Sequence, residues 1–66
     1  MKYYSIRRPV MPGTFPKTQM VNEIHNFDYR QYCPEIGREA WGWIEYESEI
    51  SEKDATNYEL VKVNEE

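Results

Sequence analysis

The chain has 66 residues, 39% of them apolar, with a net charge of −4 and a single cysteine. That length allows one domain near the lower limit for an autonomous fold, able to bury only about 60% of its unfolded surface, and the lone Cys33 excludes an internal disulfide as the staple such domains often need. No apolar run reaches the length of a signal peptide or a membrane span, which sets the expectation of a cytoplasmic protein.

Residues 2–8, KYYSIRR, are rich in β-branched and aromatic side chains and stop at Pro9, which cannot continue a ladder. They predict a first strand. Residues 9–18 carry three prolines and a glycine and predict a loop with a turn at Pro12-Gly13. Residues 19–27 predict a second strand, with Val21, Glu23 and His25 on one face and Asn22, Ile24 and Asn26 on the other. In residues 28–39, Asp28 is placed to cap a short helical turn that Pro34 and Gly37 then break.

Residues 40–48 alternate most clearly. Trp41, Trp43 and Glu45 fall on one face and Gly42, Ile44 and Tyr46 on the other, and a glycine inside a strand marks a bulge or a close approach. Ser51 is a good N-cap, with Asp54 three residues on and Ile50 and Ala55 spaced as a hydrophobic staple, so a helix is predicted over 51–58. Residues 59–63 predict a last strand, and 64–66 a frayed tail. The expectation is a single α+β domain over 1–66: a small antiparallel sheet of three or four strands with one short helix, in the order β-β-turn-β-α-β.

Charge is unevenly distributed. Residues 1–33 carry five basic and two acidic side chains, while residues 34–66 carry three basic and ten acidic ones. An acidic half disfavours non-specific nucleic-acid binding and favours a basic protein surface. Ten aromatic residues are more than so small a body can internalise, and surplus Tyr and Trp are typical interface anchors. Glu45, Glu47, Glu49, Glu52 and Asp54, with Trp41 and Trp43, are therefore the candidate partner-binding residues.

A catalytic constellation is not evident. His25 and Cys33 are the only histidine and cysteine, and a chain this short has little wall for a substrate pocket. The expectation is a binding protein, not an enzyme. His25, Asp28 and Cys33 are candidate zinc ligands by type, but a structural site takes four ligands and none of the strong paired-cysteine spacings is present. A histidine next to an asparagine is more often a surface or turn residue. A basic set, Lys2, Arg7, Arg8 and Lys17, would serve a DNA-binding protein, against the overall acidity.

Several blocks carry a further signal. They are Tyr4-Ser5-Ile6-Arg7-Arg8-Pro9, Pro12-Gly13-Thr14-Phe15-Pro16-Lys17, Asn26-Phe27-Asp28, Glu35-Ile36-Gly37-Arg38-Glu39-Ala40-Trp41-Gly42 and Tyr58-Glu59-Leu60. Over nearly the whole chain they resemble short proteins and domains encoded by phages and conjugative elements of gut Firmicutes, the block 35–42 most specifically. The resemblance transfers no enzyme active site. It implies an anti-defence role: inhibition of a host nuclease of the restriction or CRISPR type, with a CRISPR effector as one candidate partner. The alternative is a zinc-stabilised accessory module of a mobile-element DNA-processing complex. Within the specific block, Gly37 is expected to take a positive φ, and Arg38 to pin the loop by an ion pair.

Overall fold

The computed structural model describes residues 1–17 and 19–63; the tail expected to fray at 64–66 lies outside the described residues. Four strands and one helix follow in the predicted order: β1 Lys2–Ser5, β2 Val21–Cys33, β3 Arg38–Tyr46, α1 Glu52–Asn57 and β4 Leu60–Lys62. The strands make one antiparallel sheet in the order β2-β3-β1-β4. The α+β class stands as expected.

The bounds shift from the sequence reading, β3 to Arg38–Tyr46 in place of the expected 40–48, and the shifts in β1 and β2 are the most informative. β1 ends at Ser5 because the chain turns there: Ser5 Oγ donates to the Arg8 carbonyl. The larger correction is β2, which runs on to Cys33, so Asp28 caps no helical turn. Its pairing with β3 slips between Asn26 and Gln31, and this irregularity absorbs the extra residues that hid the strand in the sequence. The turn into β3 then uses Gly37 at φ 70°, as expected. Arg38 pairs with no carboxylate among the described residues; the ion pair at this hairpin joins Arg30 Nε to Glu39 at 2.9 Å instead.

One face of the sheet holds the main core. Tyr3, Ile44, Tyr46 and Leu60 pack with Val10, Phe15 and Ile50, and Ala55 of α1 closes on them. Tyr3 and Tyr46 meet edge to face at 5.8 Å. Each buried ring keeps its hydroxyl satisfied. Tyr46 donates to the Pro16 carbonyl at 2.6 Å, and Tyr3 accepts from the Ile50 N–H at 3.1 Å. Those two bonds tie the proline loop and the entry to α1 to the sheet. Ser51 caps the helix as predicted, accepting from the Asp54 N–H at 3.1 Å. A second, smaller cluster gathers Tyr4, Cys33, Ala40 and Val63 with Ile6, Phe27, Ile36 and Trp43.

Candidate partner-binding surface

Strand register decides which side chains become neighbours. Across the sheet, His25 lies opposite Trp43, and Trp43 opposite Tyr4. The His25 ring stacks on Trp43 at 5.6 Å and meets Phe27 edge to face at 5.5 Å. Lys2 Nζ sits 4.4 Å from the Trp43 ring centre and 5.4 Å from that of Tyr4, within cation–π range. The result is a half-open aromatic patch with a cation on it. In the next row Glu23 lies opposite Glu45, and Glu45 opposite Lys2.

The acidic set is distributed around the end of β3. Glu45 shares a face with Trp43 and is half-buried, while Glu47, Glu49 and Glu52 are exposed in and after the loop that leaves the strand. Asp54 is half-buried in the first turns of α1. Between 45 and 59 there are six carboxylates and one lysine, Lys53. Glu49 holds Lys62 at 3.1 Å. Behind these groups a cleft of about 400 Å³ opens between α1 and β4, floored by Tyr3, Ile50, Ala55 and Leu60 and rimmed by Glu49, Glu52 and Lys62. Apolar floor and charged rim are what a long cationic side chain fits, since its stem is apolar and its head charged.

Of the seven partner-binding candidates, Trp43 and Glu45 come together on one face of β3, and Glu47, Glu49, Glu52 and Asp54 continue from its end. Trp41 is half-buried beside the slipped stretch of β2 and joins no ring pair among the described residues. Lys2, Tyr4, His25 and Phe27 complete the aromatic patch. They were not grouped from sequence because the pairing of β2 with β3 and of β3 with β1 brings them together, and neither register is written in the composition.

The three zinc candidates separate. His25 is engaged by Trp43 and Phe27, Asp28 is exposed on β2, and Cys33 is buried with Tyr4, Ala40 and Val63. Among the described residues there is no group of three or more His, Cys, Asp or Glu side chains placed to hold a metal ion. The Cys33 thiol donates to the Gln31 carbonyl at 3.6 Å, and burial, reinforced by the Glu35 charge and partly offset by Lys2, pushes its pKa upward. A protonated, buried thiol is a packing group more than a nucleophile. Burial and Glu35 likewise push Tyr4 up to about 12. The basic candidates Arg7 and Arg8 both reach Glu59, at 2.9 and 2.7 Å.

The architecture is thus a small α+β sheet domain presenting an aromatic patch and an acidic rim. Residues 1–65 match the family described as defence against restriction A C-terminal, and the chain belongs to that family. Neither the curated proteins nor the solved structures supply a match. The family assigns the protein a part in defence against restriction, a counter-defence setting. Among the described residues, no helix is long and apolar enough to cross a membrane.

Proposed function

We propose that the protein acts by binding, not by catalysis, and that its partner is a host defence nuclease with a basic DNA-binding groove, met in the bacterial cytoplasm. The observation that carries this reading is the run of exposed carboxylates Glu47, Glu49 and Glu52, the last two on the rim of an apolar-floored cleft, continuous with Glu45 and Trp43 on the sheet. A groove built to attract a polyanion is attracted to such a surface, and the aromatic patch beside it supplies the apolar contact that holds a complex once formed. The family description favours a restriction enzyme over a CRISPR effector as the nuclease. The basic set offers less to DNA, since Arg7 and Arg8 already share Glu59. No arrangement of donors among the described residues favours the zinc-stabilised module.

The test is a DNA-cleavage assay with purified protein and a panel of host restriction and CRISPR nucleases. Inhibition should titrate with the nuclease concentration, and the two proteins should co-migrate without DNA. Protection that tracks DNA concentration instead, with no protein–protein complex, would reject the reading.

A further inference from the structure

The sheet ends on one side at β2, which has β3 on one flank and, among the described residues, no strand on the other. An edge strand presents a row of unpaired N–H and C=O groups, and natural chains guard such edges with charged side chains, proline, β-bulges, shortness or a covering segment. β2 is 13 residues long and contains neither lysine nor proline. Its Ile24, Tyr29 and Tyr32 are 41%, 69% and 60% exposed. A long, solvated strand with large apolar side chains is a template for another strand.

The order of side chains along β2 says which strand fits. Reversal about the Asn26–Phe27 bond carries Glu23 onto Arg30, His25 onto Asp28 and Ile24 onto Tyr29. Each acidic group meets a basic or titratable one, and the aliphatic group meets a ring. A regular twofold ladder would not allow this register. Its axis stands perpendicular to the sheet, each face continues into the other copy, and partners must be an even number of residues apart. β2 breaks its own alternation at the centre: Asn26 and Gln31 answer Gly42 and Ala40, which lie on one face of β3. The two halves of the strand are therefore out of phase, and the odd register becomes available.

Among the described residues Glu23 also has no cation partner. Its register partner on β3 is Glu45, a like charge directly opposite, and neither forms an ion pair among the described residues. Arg30 has donors to spare. It binds Glu39 through Nε, and its terminal nitrogens make no ion pair among the described residues.

We propose that two copies of the protein pair β2 to β2, antiparallel about a twofold axis, so that the Glu23 of each copy answers the Arg30 of the other in one continuous eight-stranded sheet. This does not depend on the identity of the nuclease. Sedimentation equilibrium of the full chain, after circular dichroism has matched each variant to the native protein, tests it. Native protein should show a monomer–dimer equilibrium. Glu23→Arg and Arg30→Glu should each weaken it at least about tenfold, since symmetry spends every reversal twice, and the double exchange Glu23→Arg with Arg30→Glu should recover most of the loss. Ile24→Lys and Tyr29→Lys, at exposed positions that leave the charge pair intact, should also favour the monomer. A native chain that is monomeric at every concentration, a dimer indifferent to the reversals and to the lysines, or a double exchange no better than the single ones overturns the proposal.

Discussion

Gly42 and Asn26 face each other across β3 and β2, and the side chain that Gly42 lacks is what gives the Asn26 side chain its path. Asn26 Oδ1 accepts from the Val10 N–H at 2.8 Å, and Nδ2 donates to the Val10 carbonyl at 2.9 Å. One amide thus pairs with a loop residue as a neighbouring strand would, and holds buried Val10 onto the main core. A Cβ on Gly42 would lie 2.5 Å from the His25 carbonyl, 2.7 Å from Asn26 Oδ1 and 2.9 Å from Asn26 Cα.

Two of those three contacts are backbone atoms, which cannot swing aside. Gly42→Ala should therefore destabilise the fold by about 2–3 kcal/mol, the upper part of the overpacking range. Asn26→Ala keeps the space but leaves both polar groups of Val10 without this partner, at a cost of roughly 2 kcal/mol. Urea denaturation measures both. If Gly42→Ala melts like the native protein, the close approach is not a constraint.

How much of this was readable beforehand follows from the periodicity of each segment. β3 could be read because one face of it is buried, which imposes the alternation of Trp41, Trp43 and Glu45 against Gly42, Ile44 and Tyr46. The helix could be read because Ser51 and the Ile50–Ala55 spacing are local signals. β2 was only half legible. As an edge strand it is solvated along most of its length, so nothing imposes alternation, and the slip after Asn26 made Asp28 look like a cap. Gly42 signalled a close approach, and the group it admits is the Asn26 amide. The aromatic patch depends on sheet order, and sheet order is a long-range property with no local mark.

Glu59 takes φ 57°, a left-handed conformation unfavourable for a residue with a Cβ, while binding Arg7 and Arg8. The strain costs about 1–2 kcal/mol, and exposed ion pairs return at most about 1 kcal/mol each. Glu59→Gly should leave stability within about 1 kcal/mol of native, because relief of strain offsets the lost pairs. Glu59→Ala loses the pairs and keeps the strain, and should be the less stable variant in the same urea series. The opposite ranking would show that the left-handed backbone at position 59 stores no strain for glycine to relieve.

Stability should also have an alkaline edge set by the tyrosines. Burial first, then the charge of Asp54, raises the Tyr46 pKa to about 12, and burial and Glu35 raise Tyr4 to about 12. Both lie above the ordinary value of about 10. The folded state holds these protons more tightly than the unfolded chain, so the stabilisation is complete below about pH 10 and is lost as pH rises through about 12. Thermal melts across that window should show a falling midpoint. Tyr46→Phe should lower stability at neutral pH, by losing the bond to Pro16, and flatten the alkaline decline. A midpoint constant from pH 10 to 12 would mean that neither phenol is held in its neutral form by the fold.

The acidic rim carries the functional reading, and its contribution can be separated from the fold. Glu45 stands between Glu23 and Lys2, so Glu45→Lys exchanges one like-charge neighbour for another and should hardly move stability. Glu47 and Glu49 are exposed, and reversing Glu49 removes only the surface pair with Lys62, worth at most about 1 kcal/mol. The triple variant Glu45→Lys, Glu47→Lys, Glu49→Lys should therefore fold. Against a nuclease with a basic groove it should associate more slowly and inhibit less, because complementary charge acts mainly on encounter and orientation. The native complex should weaken as salt rises, since at about 0.15 M the Debye length is near 8 Å. Arg7→Gln with Arg8→Gln should change association far less. Stopped-flow binding at several ionic strengths distinguishes the outcomes. A complex indifferent to salt and to the reversals would be held by Trp43 and its neighbouring rings, and Trp43→Ala would then abolish it while the carboxylates served only solubility.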